Sequence, residues 1–460
     1  MTQTASLSLR TKQPPNVIWF LVDQLRAQAL GYRGDPNVST PNIDNLARES
    51  RRFDAAVSGS PWCSPFRGAL LTGLYPHRNG VTRTPLPLDP SLPTIAAPFR
   101  EAGYHTAWIG KWHLDGSNSR EHYVPPERRG GFDYWMGYEN NNNQNEVFVY
   151  GSEDEHPRRL PGYETDSLTD LFIGHLKSHV GAPAPGRAYQ PFFACLSVQP
   201  PHDPFVGPTN PGYLHTRYSP ASIRLRENVP PVAWVQEAAR LDAAGYYAMI
   251  ENLDDNLGRL RMALKAFDID RETYIVFFAD HGEMLGSHAQ WGKVSPWEES
   301  IRIPFLIGKV GGPQNTQVGI TDAVLNHVDI APTSLGLCGI APPPGMVGYD
   351  YSGYCLPGKK ADRAGEPDAA FLQQICAVTH PHRVDRPWRG VVTRDGWKYV
   401  AQPGHDWLLH HLGEDPLELA NYVFDPAYRE RLGMMRERLR EWMDRTGDTF
   451  AVPCGSESGG

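Results

Sequence analysis

Apolar and β-branched residues in this chain fall into short runs separated by polar segments marked with glycine and proline. Asn16–Val22, His105–Ile109, Phe192–Val198, Tyr274–Ala279 and Ile303–Ile307 are runs of strand length, the pattern of strands buried on both faces of a sheet. Across Val235–Phe267 the period changes. Met249, Leu253, Leu257, Leu260 and Leu264 recur every three or four residues, which predicts a long helix with one core-facing stripe. Strands alternating with helices predict an α/β fold, a large and mostly parallel sheet flanked by helices. The Pro/Gly-rich stretch from Ala341 to Asp368 marks a boundary. Beyond it, Gly390–Thr393 and Trp397–Val400 read as strands and Tyr428–Met443 as an amphipathic helix. We therefore expect a large α/β domain over residues 1–370 and a smaller C-terminal α+β subdomain over 371–460, packed on it. The polar run Asn140–Asn143 reads as a loop.

Composition narrows the picture. With 44 Gly and 42 Pro in 460 residues and 40% hydrophobic residues, the chain is neither low-complexity nor collagen-like and can bury a large core. A net charge of −8 supplies no global basic field for nucleic acid or an acidic membrane, so any anion chemistry must come from a local cluster. No apolar run approaches the ~20 residues of a membrane helix. The polar Met1 to Pro15 segment contains no apolar stretch of signal-peptide length. The expectation is a soluble, cytoplasmic protein with neither nucleic acid nor membrane as partner. The six cysteines are scattered without CxxC spacing, which argues against a zinc ribbon.

Candidate chemistry gathers just past the strand ends, where open α/β sheets bind ligands. Asn16–Val22 runs into Asp23-Gln24, His105–Ile109 into Gly110-Lys111-Trp112-His113, Phe192–Val198 into Gln199-Pro200-Pro201-His202, and Tyr274–Ala279 into Asp280-His281-Gly282-Glu283. Asp23, Gln24, Asp280 and His281 offer two carboxylates, an amide oxygen and an imidazole. That set suits a divalent cation whose charge the two carboxylates neutralise; mostly oxygen ligands favour Ca²⁺, Mg²⁺ or Mn²⁺, His281 moves the preference somewhat toward Mn²⁺, and Ca²⁺ is the expected ion. Either pair alone would be ordinary strand-end turn chemistry. Lys111 and His113 are two apart, so in an extended segment their side chains leave the same face. The stretch Trp62 to Gly73 reads as a helix with its punctuation, Ser64 as cap, Pro65 at the first helical position and Gly73 as stop. Cys63 then lies at the positive end of the helix dipole, a place for an anion-binding nucleophile, with Arg67 one turn on as a fixed positive charge.

Cys63-Ser64-Pro65-Phe66-Arg67, followed by Gly68-Ala69-Leu70-Leu71-Thr72-Gly73, resembles the signature of the formylglycine-dependent type I sulfatases of the alkaline phosphatase superfamily. The resemblance continues in that family's order. Val22-Asp23-Gln24 and Ala279-Asp280-His281-Gly282-Glu283 are similar to its two metal pairs. Gly110-Lys111-Trp112-His113 matches its lysine–histidine motif, Trp291-Gly292-Lys293 its later lysine, and Asp415-Pro416-Leu417-Glu418 its C-terminal region. The resemblance implies that a maturation enzyme oxidises Cys63 to formylglycine, and that this residue joins Asp23, Gln24, Asp280 and His281 around the cation. It implies a sulfuric ester hydrolase acting on alkyl, aryl or sugar sulfates. Hydrated formylglycine would attack sulfur with Asp280 assisting, while Arg67, Lys111 and Lys293 hold the sulfuryl oxygens. His202, helped by Lys293, would protonate the leaving alcohol, and His113 would take the proton that releases sulfate. Three features depart from the family's common pattern: Phe66 stands where a small polar residue is usual, and Gln24 and His281 replace Asp and Asn. The last two resemble the choline-sulfatase and phosphonate monoester hydrolase branches. The alternative activity is therefore hydrolysis of phosphonate monoesters or phosphodiesters at the same site. A homo-oligomer is left open.

Overall fold

In the computed structural model, residues 14–453 are described except 152–155, 182–188, 207–216, 311–315, 360, 362 and 379–381. The strands in chain order are β1 (Asn16–Val22), β2 (Ser50–Phe53), β3 (His105–Lys111), β4 (Tyr134–Tyr138), β5 (Val147–Val149), β6 (Arg158–Leu160) and β7 (Phe192–Val198). They continue as β8 (Thr273–Ala279), β9 (Phe305–Lys309), β10 (Gly319–Thr321), β11 (Ala369–Gln374), β12 (Trp388–Thr393), β13 (Trp397–Gln402) and β14 (His405–His411). The helices are α1 (Pro41–Arg48), α2 (Cys63–Thr72), α3 (Pro76–Asn79), α4 (Ala96–Glu101), α5 (Glu164–Gly181), α6 (Ala233–Ala266), α7 (Glu298–Ile301), α8 (Ile330–Leu337) and α9 (Arg429–Thr446).

Eight strands form one sheet in the order β10-β2-β9-β8-β1-β7-β3-β4. β1 lies inside it, parallel to β7 on one side and β8 on the other, and every one of its residues is buried. This is why its sequence is a continuous apolar run rather than an alternation. β9 runs antiparallel to both β8 and β2, so the sheet is mostly but not wholly parallel. The expected strand at Ile303–Ile307 begins two residues later, at Phe305: Arg302 bridges to Val57 and Ile303 N donates to Ala56 O (3.2 Å) instead, and Pro304 has no N–H to give the ladder. The long helix spans Ala233–Ala266, and Met249, Leu253, Leu257, Leu260 and Leu264 are all buried along it, as their spacing predicts. Among the described residues, no helix is long and apolar enough to cross a membrane.

Register places the chemistry. Val22 of β1 pairs with Val198 of β7 and Ala279 of β8, so the residues that follow these strands emerge side by side. Asp23 N and Asp280 N close the ladder onto Val198 O and Val22 O, both at 3.1 Å. One strand over, Gly110 pairs with Ser197. Its φ of +102° and the 1.9 Å that would separate an added Cβ from Ser197 O leave room for no other residue, and this close approach sets Lys111 at the strand's end.

A second sheet, antiparallel in the order β11-β12-β13-β14, packs with α9 around Phe371, Tyr399, Leu439 and Trp442. The expected division at residue 370 falls inside its first strand. This sheet also touches the loop after β8. Trp388 Nε1 donates to Val294 O (3.1 Å), while Lys398 Nζ donates to Pro296 O (2.8 Å) and Glu298 Oε1 (3.2 Å). Gln373 N reaches Gly59 O at 2.7 Å, just upstream of α2.

Candidate active site

α2 begins at Cys63 itself, with extended Trp62 as its cap residue, and ends at Gly73 (φ 64°). Ser64 is therefore not the cap: it lies inside the first turn, where its N–H donates to Thr84 Oγ1 at 3.2 Å. Cys63 occupies the first helical position, where backbone N–H groups lack intrahelical acceptors and the dipole is positive. Arg67, fully buried, is fixed from three sides. Nη1 donates to Lys111 O and Ser197 Oγ, both at 2.9 Å, and Nη2 to Asp23 Oδ2 at 3.3 Å. Its Nε has no hydrogen-bond partner among the described residues. Phe66, the departure from the family pattern, is buried and stacks on His327, ring centroids 5.5 Å apart. Burial pushes the His327 imidazole down to about 3, so this partner is neutral and suits a phenyl face.

Asp23, Cys63, Asp280 and His281 each place a ligand atom within 4.8 Å of the others, and all four are buried. His281 Nε2 stands 3.3 Å from Cys63 Sγ, 3.6 Å from Asp23 Oδ1 and 3.5 Å from Asp280 Oδ1. Asp280 Oδ2 has no hydrogen-bond partner among the described residues, Arg67 Nη2 being 3.5 Å away. A buried carboxylate oxygen without a hydrogen-bond donor, among oxygen, nitrogen and sulfur donors, suits a cation, so these residues fit a divalent metal. The two carboxylates divide the charge unequally. Burial and Cys63 push Asp23 upward, but Lys111 (Nζ–Oδ2 2.7 Å), His202 and Lys293 outweigh them and hold it well below the usual range. Burial and the Asp23 charge push Asp280 up to about 6. A divalent ion would favour both ionised.

Lys293 links this cluster to the opposite wall. Its Nζ donates to Gln24 Oε1 (2.7 Å), lies 3.3 Å from Cys63 Sγ and 2.6 Å from His202 Nε2. Burial disfavours its charge, but Cys63, Asp23 and Asp203 hold the ammonium above its ordinary value. Burial likewise works against the Cys63 thiolate, and Lys293, Lys111 and His281 overcome it, so the thiol is shifted well below its usual value. The amide oxygen of Gln24, expected among the cation ligands, is engaged by Lys293. The amide nitrogen, Nε2, donates to Glu283 Oε2 (2.5 Å) and Asp203 Oδ1 (3.2 Å). His113 lies on the other side. Its Nε2 pairs with Asn118 Oδ1 at 3.0 Å, its Nδ1 lacks a hydrogen-bond partner among the described residues, and burial lowers its basicity despite the adjacent Cys63. Gln24 (φ 65°) and His113 (φ 60°) both adopt the left-handed backbone that side-chain-bearing residues rarely hold, a strain that collects at functional sites.

The structure thus brings Asp23, Gln24, Cys63, Arg67, Lys111, His113, His202, Asp280, His281 and Lys293 to one place. It also adds residues the sequence reading did not single out. Asp203 orients His202, whose Nδ1 lies 2.7 Å from Asp203 O and 3.3 Å from Oδ1. Burial raises the Asp203 carboxyl, but His202, Lys293 and Arg383 bring it down to about 2. Glu283 takes the N–H groups of Gly292 (2.6 Å) and Leu285 (3.0 Å), fixing the approach to Lys293. Ser197 braces Arg67. Only adjacency in sequence, His202-Asp203 and the Glu283 of the second pair, signalled the first two; nothing local marked Ser197.

With this geometry in hand, comparison with known proteins is direct. The family described as Sulfatase matches residues 15–340, and one described as N-sulphoglucosamine sulphohydrolase, C-terminal, matches residues 286–445. The chain is similar to an ulvan-active sulfatase of Formosa agariphila, 33% identical over 440 residues that cover 95% of this chain and 82% of that protein. A solved structure described within glycosaminoglycan metabolism by Bacteroides thetaiotaomicron superimposes with TM-score 0.82 at 26% identity, covering 95% of this chain and 97% of that one. The phosphonate monoester hydrolase of Agrobacterium radiobacter shares the fold, with TM-score 0.73, 23% identity, and 94% and 96% coverage. From the first buried strand to the C-terminal sheet, the chain belongs to the sulfatase family.

Proposed function

We propose that the protein hydrolyses sulfate monoesters of sugars and other alcohols, with Cys63, matured to formylglycine, at the point of attack and a divalent cation, Ca²⁺ foremost, beside it. The observation that carries this reading is the hydrogen-bonded chain from Cys63 through Lys293 to His202, set against the buried Asp23, Asp280 and His281 cluster. It joins a nucleophile position to a proton donor for a leaving group. The ulvan-active relative supports a saccharide as the alcohol.

The formylglycine hydrate would supply the oxygen that attacks sulfur, and the cation, held by Asp23, Asp280, His281 and the residue at 63, would supply positive charge. The rest belongs to this chain. Arg67, locked by Lys111 O, Ser197 and Asp23, keeps a guanidinium Nε free for a sulfuryl oxygen without reorganising. Lys111 and Lys293 complete a positive wall. His202, oriented by Asp203 at Nδ1, presents Nε2 together with Lys293 to the departing oxygen and gives it a proton. His113, kept neutral by burial, takes a proton on the opposite side when sulfate leaves.

The test combines two measurements. The mass of the Cys63 peptide, from protein made with a maturation enzyme, should show the aldehyde in place of the thiol. That protein should hydrolyse sulfate monoesters ahead of phosphonate monoesters and phosphodiesters, and Cys63→Ala should hydrolyse none. A preference for the phosphorus esters assigns the alternative activity; turnover by Cys63→Ala removes the nucleophile assignment.

A further inference from the structure

Beside the Lys293 and His202 wall lies a group of side chains that the reaction above does not use. Trp234, at the start of α6 and 55% exposed, stacks on Trp291 with centroids 5.9 Å apart and planes at 17°. His382 lies against both rings, its centroid 6.0 Å from Trp234 and 5.5 Å from Trp291. Trp291 is held from behind by Asp242 Oδ2, which accepts its Nε1 at 3.0 Å, and from the side by His382 O, which accepts its N–H at 3.2 Å. Two residues after Trp291 comes Lys293.

Arg383 follows His382, and its guanidinium lies flat on Gly292. A Cβ added to that glycine would stand 2.6 Å from Nε and 2.7 Å from Cζ and Nη2, so only glycine, already at φ +72°, leaves the guanidinium its place. Among the described residues no carboxylate forms an ion pair with Arg383, and its buried Nε has no hydrogen-bond partner. Its charge is nevertheless felt by both Asp203 and Lys293, the residues flanking the proton donor. A guanidinium with no directly ion-paired carboxylate among the described residues, beside aromatic faces and on the side from which the alcohol departs, is a recognition element for an anionic ligand. Flat aromatic surfaces receive the apolar face of a pyranose, and a planar guanidinium matches a carboxylate or sulfate with two parallel hydrogen bonds.

Resting on the sulfatase reading, we infer that Arg383, with the Trp234–Trp291–His382 platform, selects acidic oligosaccharides: the leaving sugar, or the one bonded to it, carries a second anionic group that Arg383 pairs. That group is a hexuronate carboxylate or a second sulfate. Arg383 determines specificity and takes no part in the bond cleavage.

The experiment measures binding apart from turnover. Cys63→Ala protein, alone and combined with Arg383→Ala, Arg383→Lys or Trp234→Ala, is titrated by calorimetry with three probes. These are a sulfated tetrasaccharide containing hexuronate, its carboxyl-reduced form, and a uronate-free disulfated galactan tetrasaccharide. With Arg383 present, at least one doubly anionic probe should bind ten times or more tighter than the carboxyl-reduced one. Arg383→Ala should bring that ratio close to one and Arg383→Lys should restore part of it. Trp234→Ala should weaken all three probes and leave the ratio standing. Preference for the first probe identifies a carboxylate, and for the third a second sulfate. A ratio near one with Arg383 present, or one unchanged by Arg383→Ala, overturns the inference. The two readings fail separately: if matured enzyme cleaves sulfate esters without discriminating among the probes, this inference falls alone. If the probes are discriminated but no sulfate ester is cleaved, the sulfatase reading falls alone.

Discussion

Replacing Lys111 by Met removes an ammonium while keeping most of the side-chain volume, and tests the electrostatic architecture most directly. Lys111 Nζ sits 2.7 Å from Asp23 Oδ2, and both side chains are completely inaccessible to solvent. Without the lysine, Asp23 keeps Arg67 Nη2 at 3.3 Å, but that guanidinium is already shared with Asp280 at 3.5 Å. Removing one partner of a buried pair costs about 3–5 kcal/mol, because the other charge stays buried without compensation. That is a large part of the ~5–15 kcal/mol a folded protein has in hand. Asp23→Asn leaves two cations facing a neutral amide and should cost a similar amount. In the double variant neither charge remains. Its cost should therefore fall short of the sum of the singles by about 2–3 kcal/mol, the signature of direct coupling. Urea unfolding with a chelator present measures all four proteins without help from a bound ion. Adding Ca²⁺ at about a hundred times its dissociation constant should stabilise the parent by ~2.7 kcal/mol and Asp23→Asn far less. It should also shrink the cost of Lys111→Met, since the ion takes over the neutralisation of Asp23. Single variants each costing under about 1 kcal/mol, or costs that simply add, would refute the coupled buried pair.

Other expectations are independent of that cycle. If His202 protonates the leaving group, His202→Ala should slow alkyl and sugar sulfates by about 10²–10⁴, and aryl sulfates with acidic phenols much less; equal slowing across a leaving-group series removes the role. Asp280→Ala should lose the divalent ion, read by elemental analysis at less than a tenth of the parent's content, and a full complement of metal would show that Asp280 is no ligand. Asp329 is raised to about 7 by burial, although Asn326 N and Tyr349 N both donate to it at 2.7 Å. Its folded-state proton therefore stabilises the protein below about pH 4, and that contribution is lost as pH rises through about 7, with a slope of ~1.4 kcal/mol per pH unit. Asp329→Asn should flatten the unfolding free energy between pH 5 and 7 by this amount; an unchanged slope would place the titration elsewhere.

Much of the fold could be read from the chain because its central strands are buried on both faces. β1, β7 and β8 appear as unbroken apolar runs, and whatever polar residues follow them must emerge at one edge. Asp23 and Asp280 could be paired on that basis, since adjacent parallel strands in register deliver their next residues together. Sequence places the cap of α2 two positions late, at Ser64, because serine is a common cap residue. Here extended Trp62 leaves the strand-side loop and the thiol takes the first turn. The bond between Lys293 and His202 could not be read at all. Ninety-one positions separate them, and their loops meet only because β7 and β8 flank β1. Sequence points to the amide of Gln24 as a cation ligand by chemical type alone, an oxygen donor near two carboxylates. Its observed partners, Lys293, Glu283 and Asp203, depend on how three loops close over the strand ends.

The hold of the C-terminal sheet on the loop after β8 has a consequence for how such chains can exchange parts. Val294, Pro296 and Glu298 follow Lys293 immediately, and their anchors, Trp388 and Lys398, are encoded about a hundred positions downstream, beyond the proline-rich connection. A crossover with a relative inside Ala341 to Asp368 would join the lysine of one parent to the anchorage of the other. A crossover upstream of Trp291 would transmit lysine and anchorage as one block. Homologous recombination should therefore leave working descendants more often at the second point than at the first, even though the first looks like the natural seam of the chain.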